Sequence, residues 1–130
     1  MIVVDASAML EALLRRPAAT IVENRLFEPS QTIHAPHLLD VEVAQVVRRF
    51  AENRELDAER GREALRDLAD FPVRRYPHDF LLPRVWDLRN NFTAYDAMYV
   101  ALAEALDAPL LTRDKRLAAS LGHHARIELV

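Results

Sequence analysis

The chain has 130 residues, a length that suits a single domain over residues 1–130 with a hydrophobic core of its own. It contains no cysteine, which excludes disulfides and thiolate metal sites. The net charge of −3 argues against a protein that coats nucleic acid by bulk electrostatics. The first residues lack the basic region of a signal peptide, and no apolar stretch reaches the length of a membrane span, so we expect a cytoplasmic protein without membrane contact.

The predicted elements alternate between short strands and helices along the chain. β-Branched runs such as "IVV" favour strands, and apolar residues spaced three and four apart favour helices. Asp57 is a good N-cap and Gly122 a typical C-cap, which predicts that one helix begins just after Asp57 and another ends at Gly122. In chain order the prediction is strand 1–5, helices 6–16 and 17–28, strand 31–36, helices 37–53 and 57–70, strand 71–77, helices 79–90 and 95–106, strand 108–114, helix 115–122 and strand 125–130.

Strands that alternate with helices indicate a mostly parallel sheet covered by helices on both faces. We therefore predict a single α/β domain with three α/β/α layers and about five short strands. Ligands of such sheets bind beyond the carboxyl ends of the strands. Asp5 and Asp114 stand at such ends, each at the point where a predicted strand is followed by a helix.

Two further acids interrupt apolar helix faces. The segment "TAYDAMYVALAEAL" is almost wholly apolar, yet Asp96 lies in its first turn, on the same stripe as Tyr99 and Ala103. Glu42 flanks the apolar face of its helix near Val46 and is half turned toward the interior. Because an unpaired carboxylate is costly to bury, each of these two acids requires a partner.

Each acid also has a structural explanation that the sequence leaves open. Thr93 and Asp96 have the spacing of a capping box, in which Asp96 binds a backbone donor. Asp5 and Asp114 are positioned to cap the helices that follow them. Glu42 is able to pair with a nearby arginine. Caps are common and catalytic acids are rare, so no single acid in this set identifies a site by itself.

Taken together, the four acids favour a metal site. Several carboxylates in one pocket repel one another unless a cation or shared protons neutralise them. Oxygen ligands without cysteine suit Mg²⁺ or Mn²⁺ rather than Zn²⁺. An ion held in this way activates water and stabilises charge on a phosphoryl group, which predicts hydrolysis of a phosphodiester. The hydroxyls of Ser7, Thr93 and Thr112 are suited to orient ligands or water beside the acids.

Four motifs, in this order, resemble the PIN-domain ribonucleases and, among them, the VapC toxins of bacterial toxin–antitoxin pairs. They are "VVDASA", "LLDVEVAQVVRR", "FTAYDAMYVALAEAL" and "LLTRDKRLA", and the resemblance covers essentially the whole chain. The last two motifs are the more specific. The resemblance implies a PIN-like three-layer fold, a homodimer, cleavage of single-stranded or looped RNA, and a VapB-type antitoxin whose tail lies across the site and blocks it.

The resemblance also assigns roles to individual residues. It identifies the acidic quartet that holds Mg²⁺ or Mn²⁺ as Asp5, Glu42, Asp96 and Asp114. Among these, Asp5, Asp96 and Asp114 are the implied metal ligands. Ser7 and Thr112 match hydroxyls that support the quartet in the family.

Basic residues surround the last acid of the quartet. Arg113, Lys115 and Arg116 flank Asp114, and we predict that they line the path of the RNA. Some PIN nucleases carry a further acid shortly after the fourth, where this chain has Lys115 and Arg116. The number of metal ions therefore stays open.

Two other classes of protein match parts of this pattern. A receiver-like signalling domain is also a small parallel α/β protein with a Mg²⁺-binding acidic pocket, but it needs paired acids after the first strand, where this chain has only Asp5. A non-catalytic interaction module with a PIN-like fold is the other class, and the presence of all four acids argues against it. Nothing in the sequence identifies the RNA, the cleavage sequence or the antitoxin.

Overall fold

The computed structural model describes residues 1–130 and contains five strands and seven helices. The strands are β1 (Ile2–Val4), β2 (Ile33–Pro36), β3 (Val73–Tyr76), β4 (Leu110–Thr112) and β5 (Ile127–Leu129). The helices are α1 (Ala6–Leu13), α2 (Ala19–Leu26), α3 (Leu38–Glu52), α4 (Ala58–Asp70), α5 (Leu82–Asp87), α6 (Ala94–Leu106) and α7 (Lys115–Ala119). Every predicted strand and helix is present, so the predicted alternation is confirmed.

The strands form one parallel sheet in the order β3-β2-β1-β4-β5. β1 is central, and its Val3 pairs with His34 of β2 on one side and with Leu110 of β4 on the other. The chain builds outward from β1 to β3 and then returns to the other side of β1 for β4 and β5. The strand order therefore reverses between β1 and β4, which is the place where parallel α/β sheets bind ligands.

The helices cover the sheet on both faces. α1 contacts α2, α3 and α4, whereas α5 contacts α6. Right-handed crossovers place the first group on one face and the second on the other, which confirms the predicted three layers. The core between the layers is built on the sheet, where the strand residues of β1 are fully buried. No helix combines the length and the apolar character that crossing a membrane would require.

Two predicted boundaries differ from the structure. The helix predicted over 79–90 is a 3₁₀ turn at Asp79–Leu81 followed by the short α5, with Pro83 in its first turn as expected. The last helix does not end at Gly122: α7 stops at Ala119, because Ser120 adopts an extended backbone. Gly122 lies beyond the helix with φ of 85° and turns the chain there, so the predicted C-cap is wrong.

Candidate metal centre

Asp5 is the buried centre of the site, directly after β1. One of its carboxylate oxygens accepts hydrogen bonds from the backbone N–H of Ala8, at 3.0 Å, and from the hydroxyl of Ser7, at 2.7 Å. The other oxygen accepts the hydroxyl of Thr112 from β4. Asp5 is thus the N-cap of α1, as the capping explanation predicted. The hydrogen bond from Thr112 also connects it to the neighbouring strand β4.

Asp114 follows β4 and begins α7. Its Oδ1 atom accepts the backbone N–H groups of Arg116 and Leu117, at 2.8 and 3.2 Å, so it also caps a helix. Its own backbone N–H donates to the hydroxyl of Thr112 at 3.0 Å. Thr112 therefore joins the turn that holds Asp114 to the carboxylate of Asp5, and this single buried hydroxyl connects two of the four acids.

Asp96 enters the site from the first turn of α6. Thr93 is the N-cap of that helix, and its hydroxyl accepts the backbone N–H of Asp96 at 3.2 Å. The spacing that suggested a capping box therefore does produce a cap at Thr93. The half-buried Asp96 carboxylate also lies within electrostatic range of Asp5, Glu42 and Asp114. Capping and membership of the acidic cluster coexist here.

Glu42 comes from α3 and has a partner that the sequence did not predict. The phenol of Tyr99 donates a hydrogen bond of 2.6 Å to its Oε1 atom. Tyr99 lies on α6 one turn after Asp96 and is almost fully buried, so its hydroxyl needs a polar partner. The position of Tyr99 on the stripe of Asp96 was a usable signal, but only the tertiary structure, which brings these two side chains together, reveals the bond. No arginine pairs with Glu42.

The electrostatics of the cluster favour a bound cation. Burial raises the pKa of Asp5, Glu42 and Asp96 above their ordinary values. Hydrogen bonds from Ser7, Thr112, Ala8 and Tyr99 oppose this effect, whereas repulsion among the acids adds to it. At Asp96 the carboxylate of Asp114 raises the pKa further and Arg116 lowers it. Because burial, and to a lesser extent repulsion among the acids, disfavours the ionised carboxylates, a bound cation would stabilise them.

The donor set fits a hard divalent ion. No three acidic or histidine side chains lie close enough together to form a complete set of metal ligands. Hydrogen bonds within the chain engage only one oxygen of Asp114, which leaves its second oxygen for a ligand. Both oxygens of Asp5 accept hydrogen bonds, but Oδ2 accepts only the hydroxyl of Thr112 and keeps a second lone pair. Oxygen donors with mutual repulsion suit Mg²⁺ or Mn²⁺, whose shells are usually completed by water. The predicted set of residues is therefore chemically suited to such an ion.

The three basic residues of the predicted RNA path have different surroundings. The guanidinium of Arg113 is bound to the carbonyl of the C-terminal Val130 and lies 3.7 Å from Glu11. Lys115 is exposed on the first turn of α7. Arg116 is the one that acts on the acids, since its charge lowers the pKa of Asp96.

Comparison with known proteins places this arrangement in a family. The PIN-domain family model matches residues 2–120. This chain belongs to the PIN-domain family. Among relatives of this PIN-domain protein, ribonuclease VapC1 of Mycobacterium tuberculosis is 48% identical over 98% of this chain and 96% of its own length. Ribonuclease VapC12 of the same organism is 43% identical over 100% of this chain and 99% of its own.

Solved structures support the PIN fold independently. VapBC2 of Rickettsia felis, bound to a DNA fragment from its promoter, superposes with a TM-score of 0.73 at 16% identity, covering 100% of this chain and 99% of that one. VapC20 of Mycobacterium tuberculosis, a sarcin-ricin loop cleaving toxin, superposes with a TM-score of 0.70 at 14% identity over 92% and 94% of the two chains. The family model and the two relatives at 43–48% identity confirm the predicted resemblance to the VapC group.

The order of the strands excludes the receiver-like alternative. Receiver domains have the flavodoxin-like strand order 2-1-3-4-5, whereas this PIN-domain protein has the order 3-2-1-4-5. In this protein the strand order reverses between β1 and β4, so the ligand site is expected at the gap between these two strands. The acids of the site border that gap.

Proposed function

We propose that this chain is a metal-dependent endoribonuclease that acts in the cytoplasm as the toxin of a toxin–antitoxin pair. The observation that carries the proposal is the cluster of four carboxylates where the strand order reverses, three of them with pKa values raised chiefly by burial. Carboxylates so arranged suit a divalent ion and phosphodiester hydrolysis. Two relatives named as VapC ribonucleases, each aligned over nearly the whole chain, support RNA as the substrate.

The four acids have two roles in the proposed mechanism. Asp5, Asp96 and Asp114 would hold Mg²⁺ or Mn²⁺. Such an ion, when bound, would supply activation of water and neutralisation of charge on the phosphoryl group. Glu42 keeps one carboxylate oxygen free beside the other acids, and its raised pKa suits it to hold a proton during turnover.

Neighbouring side chains keep these acids in place. Ser7 and Thr112 hold the Asp5 carboxylate on both of its oxygens, and Thr93 fixes the start of the helix that carries Asp96. Hydroxyl contacts of this kind restrict the orientation of a metal ligand. Arg116 and Lys115 supply positive charge near the acids for the RNA backbone.

The decisive experiment compares RNA cleavage by wild type and Asp96→Asn. We expect discrete cuts in total RNA by the wild type with Mg²⁺ or Mn²⁺, and none with chelator. Loss of an outer partner of a metal ligand typically costs 10–100-fold, so loss of a ligand should slow cleavage by more than about 100-fold. Asp107→Asn is the matched control, because Asp107 is an exposed acid at the other end of the same helix.

Three outcomes separate the competing explanations. Loss of cleavage in Asp96→Asn but not in Asp107→Asn supports the metal role. Equal cleavage by the wild type and Asp96→Asn would mean that Asp96 has a role only in capping the helix. A wild-type preparation free of antitoxin that cuts no RNA in either metal favours a non-catalytic interaction module.

A VapB-type antitoxin is the proposed protein partner, and a groove beside the acids is its proposed binding site. The groove has a volume of about 450 Å³, runs between α1 and α3, and is lined by Glu42 of the site. Val41 and Tyr95 at its border are 67% and 62% exposed, which is high for large apolar side chains without a partner. We expect Val41→Asp to weaken antitoxin binding in a pull-down without loss of RNA cleavage; unchanged binding would place the partner elsewhere.

We also propose that two copies of the chain form a homodimer. Trp86 on α5 is 66% exposed, and the apolar side chains of Phe80 and Leu82 beside it are also exposed. Such a patch suits contact with a second copy of the chain. Light scattering of the purified protein should give twice the mass of one chain, and Trp86→Glu should give one. A dimer that survives this substitution must use another surface.

A further inference from the structure

A pocket of about 160 Å³ opens next to Asp96, between the start of α6 and α7. It is separate from the larger groove beside Glu42 and shares no residue with it. Pockets for whole small-molecule ligands usually have volumes of about 300–1,000 Å³. Since one water molecule takes about 30 Å³ of liquid volume, the pocket is about the size of five waters. It therefore suits one part of a larger ligand.

Two apolar residues and five polar or charged residues line the pocket: Phe92 and Leu117, with Asn91, Thr93, Asp96, Arg116 and Ser120. Phe92 and Leu117 are nearly fully buried, and the ring of Phe92 packs edge-on against His123 with centroids 5.7 Å apart. Ser120 donates its hydroxyl proton to the carbonyl of Arg116 at 2.9 Å, so its oxygen still accepts. Hydrogen-bonding groups beside a few apolar atoms suit a nucleobase, which has an apolar face and polar edges.

Asn91 supplies the group that can distinguish one ring from another. Its side chain lines the pocket, and a carboxamide offers both donors and an acceptor. The amide is held against Gly122, where an added Cβ atom would lie only 2.3 Å from its Nδ2 atom. Asn91 can therefore occupy its observed position only because Gly122 has no side chain.

Charge directs the pocket toward nucleic acid. Arg116 and Asp96 both line it, and the positive charge of Arg116 lies close enough to Asp96 to lower the pKa of that carboxyl. The pocket thus has a cation for a phosphate at the same side as the acids. An RNA strand whose scissile phosphate lies at the acids can place one unstacked base here, because single-stranded RNA presents its bases for such contacts.

We propose that this pocket binds one nucleobase next to the scissile phosphate and that Asn91 determines which base it accepts. The inference rests on the proposed ribonuclease function and adds a specificity residue to it. Asparagine pairs best with adenine, by two hydrogen bonds to N6 and N7, so adenine is the base expected at this position. Arg116 binds the neighbouring phosphate as a positioning contact.

The test measures base preference at each position around the cut. A pool of short RNAs with randomised bases is cleaved, and the ends of the products are sequenced. We expect the wild type to favour adenine at one flanking position. A bidentate pair discriminates by about 1–3 kcal/mol, so Asn91→Asp should lower this preference by roughly 5- to 150-fold. Asn90→Asp is the matched control, since it makes the same change one residue away, outside the pocket.

A binding measurement keeps this inference separate from the proposed function. Fluorescence anisotropy of four labelled RNAs, each carrying a different base in the randomised region, is recorded at low salt with chelator, so that no cleavage is needed. A preference for adenine that is lost in Asn91→Asp supports the pocket even if the wild type cuts nothing. Gly122→Ala should reduce the preference as well, since the new methyl group displaces the Asn91 amide.

The inference is overturned by either of two results. One is equal binding and cleavage of all four RNAs by the wild type. The other is a base preference that is the same in the wild type, Asn91→Asp and Asn90→Asp. Thermal unfolding of every variant distinguishes a lost preference from a lost fold.

Discussion

The buried hydroxyl of Tyr99 is bonded to Glu42, one of the carboxylates of the proposed site. Its bond to Glu42 links α6 to α3 across the site. Burial and the nearby acids raise the pKa of the phenol, so it stays protonated and donates. Tyr99→Phe removes only this donor. We expect a fall in kcat of about tenfold and a loss of stability of about 1–2 kcal/mol, both measured on the same preparation.

Tyr95→Phe is the matched control for this substitution, because Tyr95 is exposed on the same helix. It should change neither kcat nor the melting temperature. If Tyr99→Phe changes stability but leaves kcat and its pH profile at wild-type values, the hydroxyl serves only the packing of the two helices.

Asp96 should make the stability of the metal-free protein depend on pH. Burial and Asp114 raise its pKa above the ordinary value of 3.8. The folded chain therefore holds this proton more tightly than the unfolded chain, and the carboxyl destabilises the fold as the pH rises from about 4 through the folded pKa. In chelator, Asp96→Asn should melt a few degrees above the wild type near neutral pH and not near pH 4. A difference that is constant with pH, as expected for Asp107→Asn, would contradict this explanation.

Helix caps and the proposed metal ligands occur together in the turns that begin α1, α6 and α7. Asp57 provides a comparison, because it caps α4 through a bond of 2.9 Å to Arg60 and has no link to the site. Asparagine caps helices about as well as aspartate. We expect Asp57→Asn and Asp114→Asn to leave the free energy of unfolding within about 0.5 kcal/mol of wild type, while only Asp114→Asn loses RNA cleavage. Equal activity of both variants would leave Asp114 with a capping role alone.

The helices and strands themselves were predictable because their signals are local. Apolar spacing, β-branched runs and the cap at Asp57 predicted every element, and the cap is present where it was expected. The errors fall where long-range contacts override local signals. Gly122 was assigned to a helix end, yet its lack of a side chain is required by the contact with Asn91, thirty-one positions earlier in the chain.

The order of strands in the whole protein brings the acids together, and it also predicts how metal should act on the fold. The acids come from four separate elements around the reversal between β1 and β4. An ion bound only by the folded chain adds about 2.7 kcal/mol at a concentration a hundredfold above its Kd, or roughly 10 °C in melting temperature. We expect Mn²⁺ to raise the melting temperature of the wild type by this order and that of Asp96→Asn much less. Equal shifts would mean that the ion binds elsewhere.

The amino-acid sequence by itself determined the α/β class, the order of the elements, the four acids and the resemblance to the VapC group. These depend on local propensities and on motifs that lie within short segments. The tertiary structure decided which groups touch: the bond of Tyr99 to Glu42, the hydroxyl of Thr112 between two acids, and the attachment of Arg113 to the chain end. Except for the bond between Thr112 and Asp114, these contacts join residues that are not neighbours in the chain, and their geometry arises only when the strand order and the packing of helices on the sheet are set.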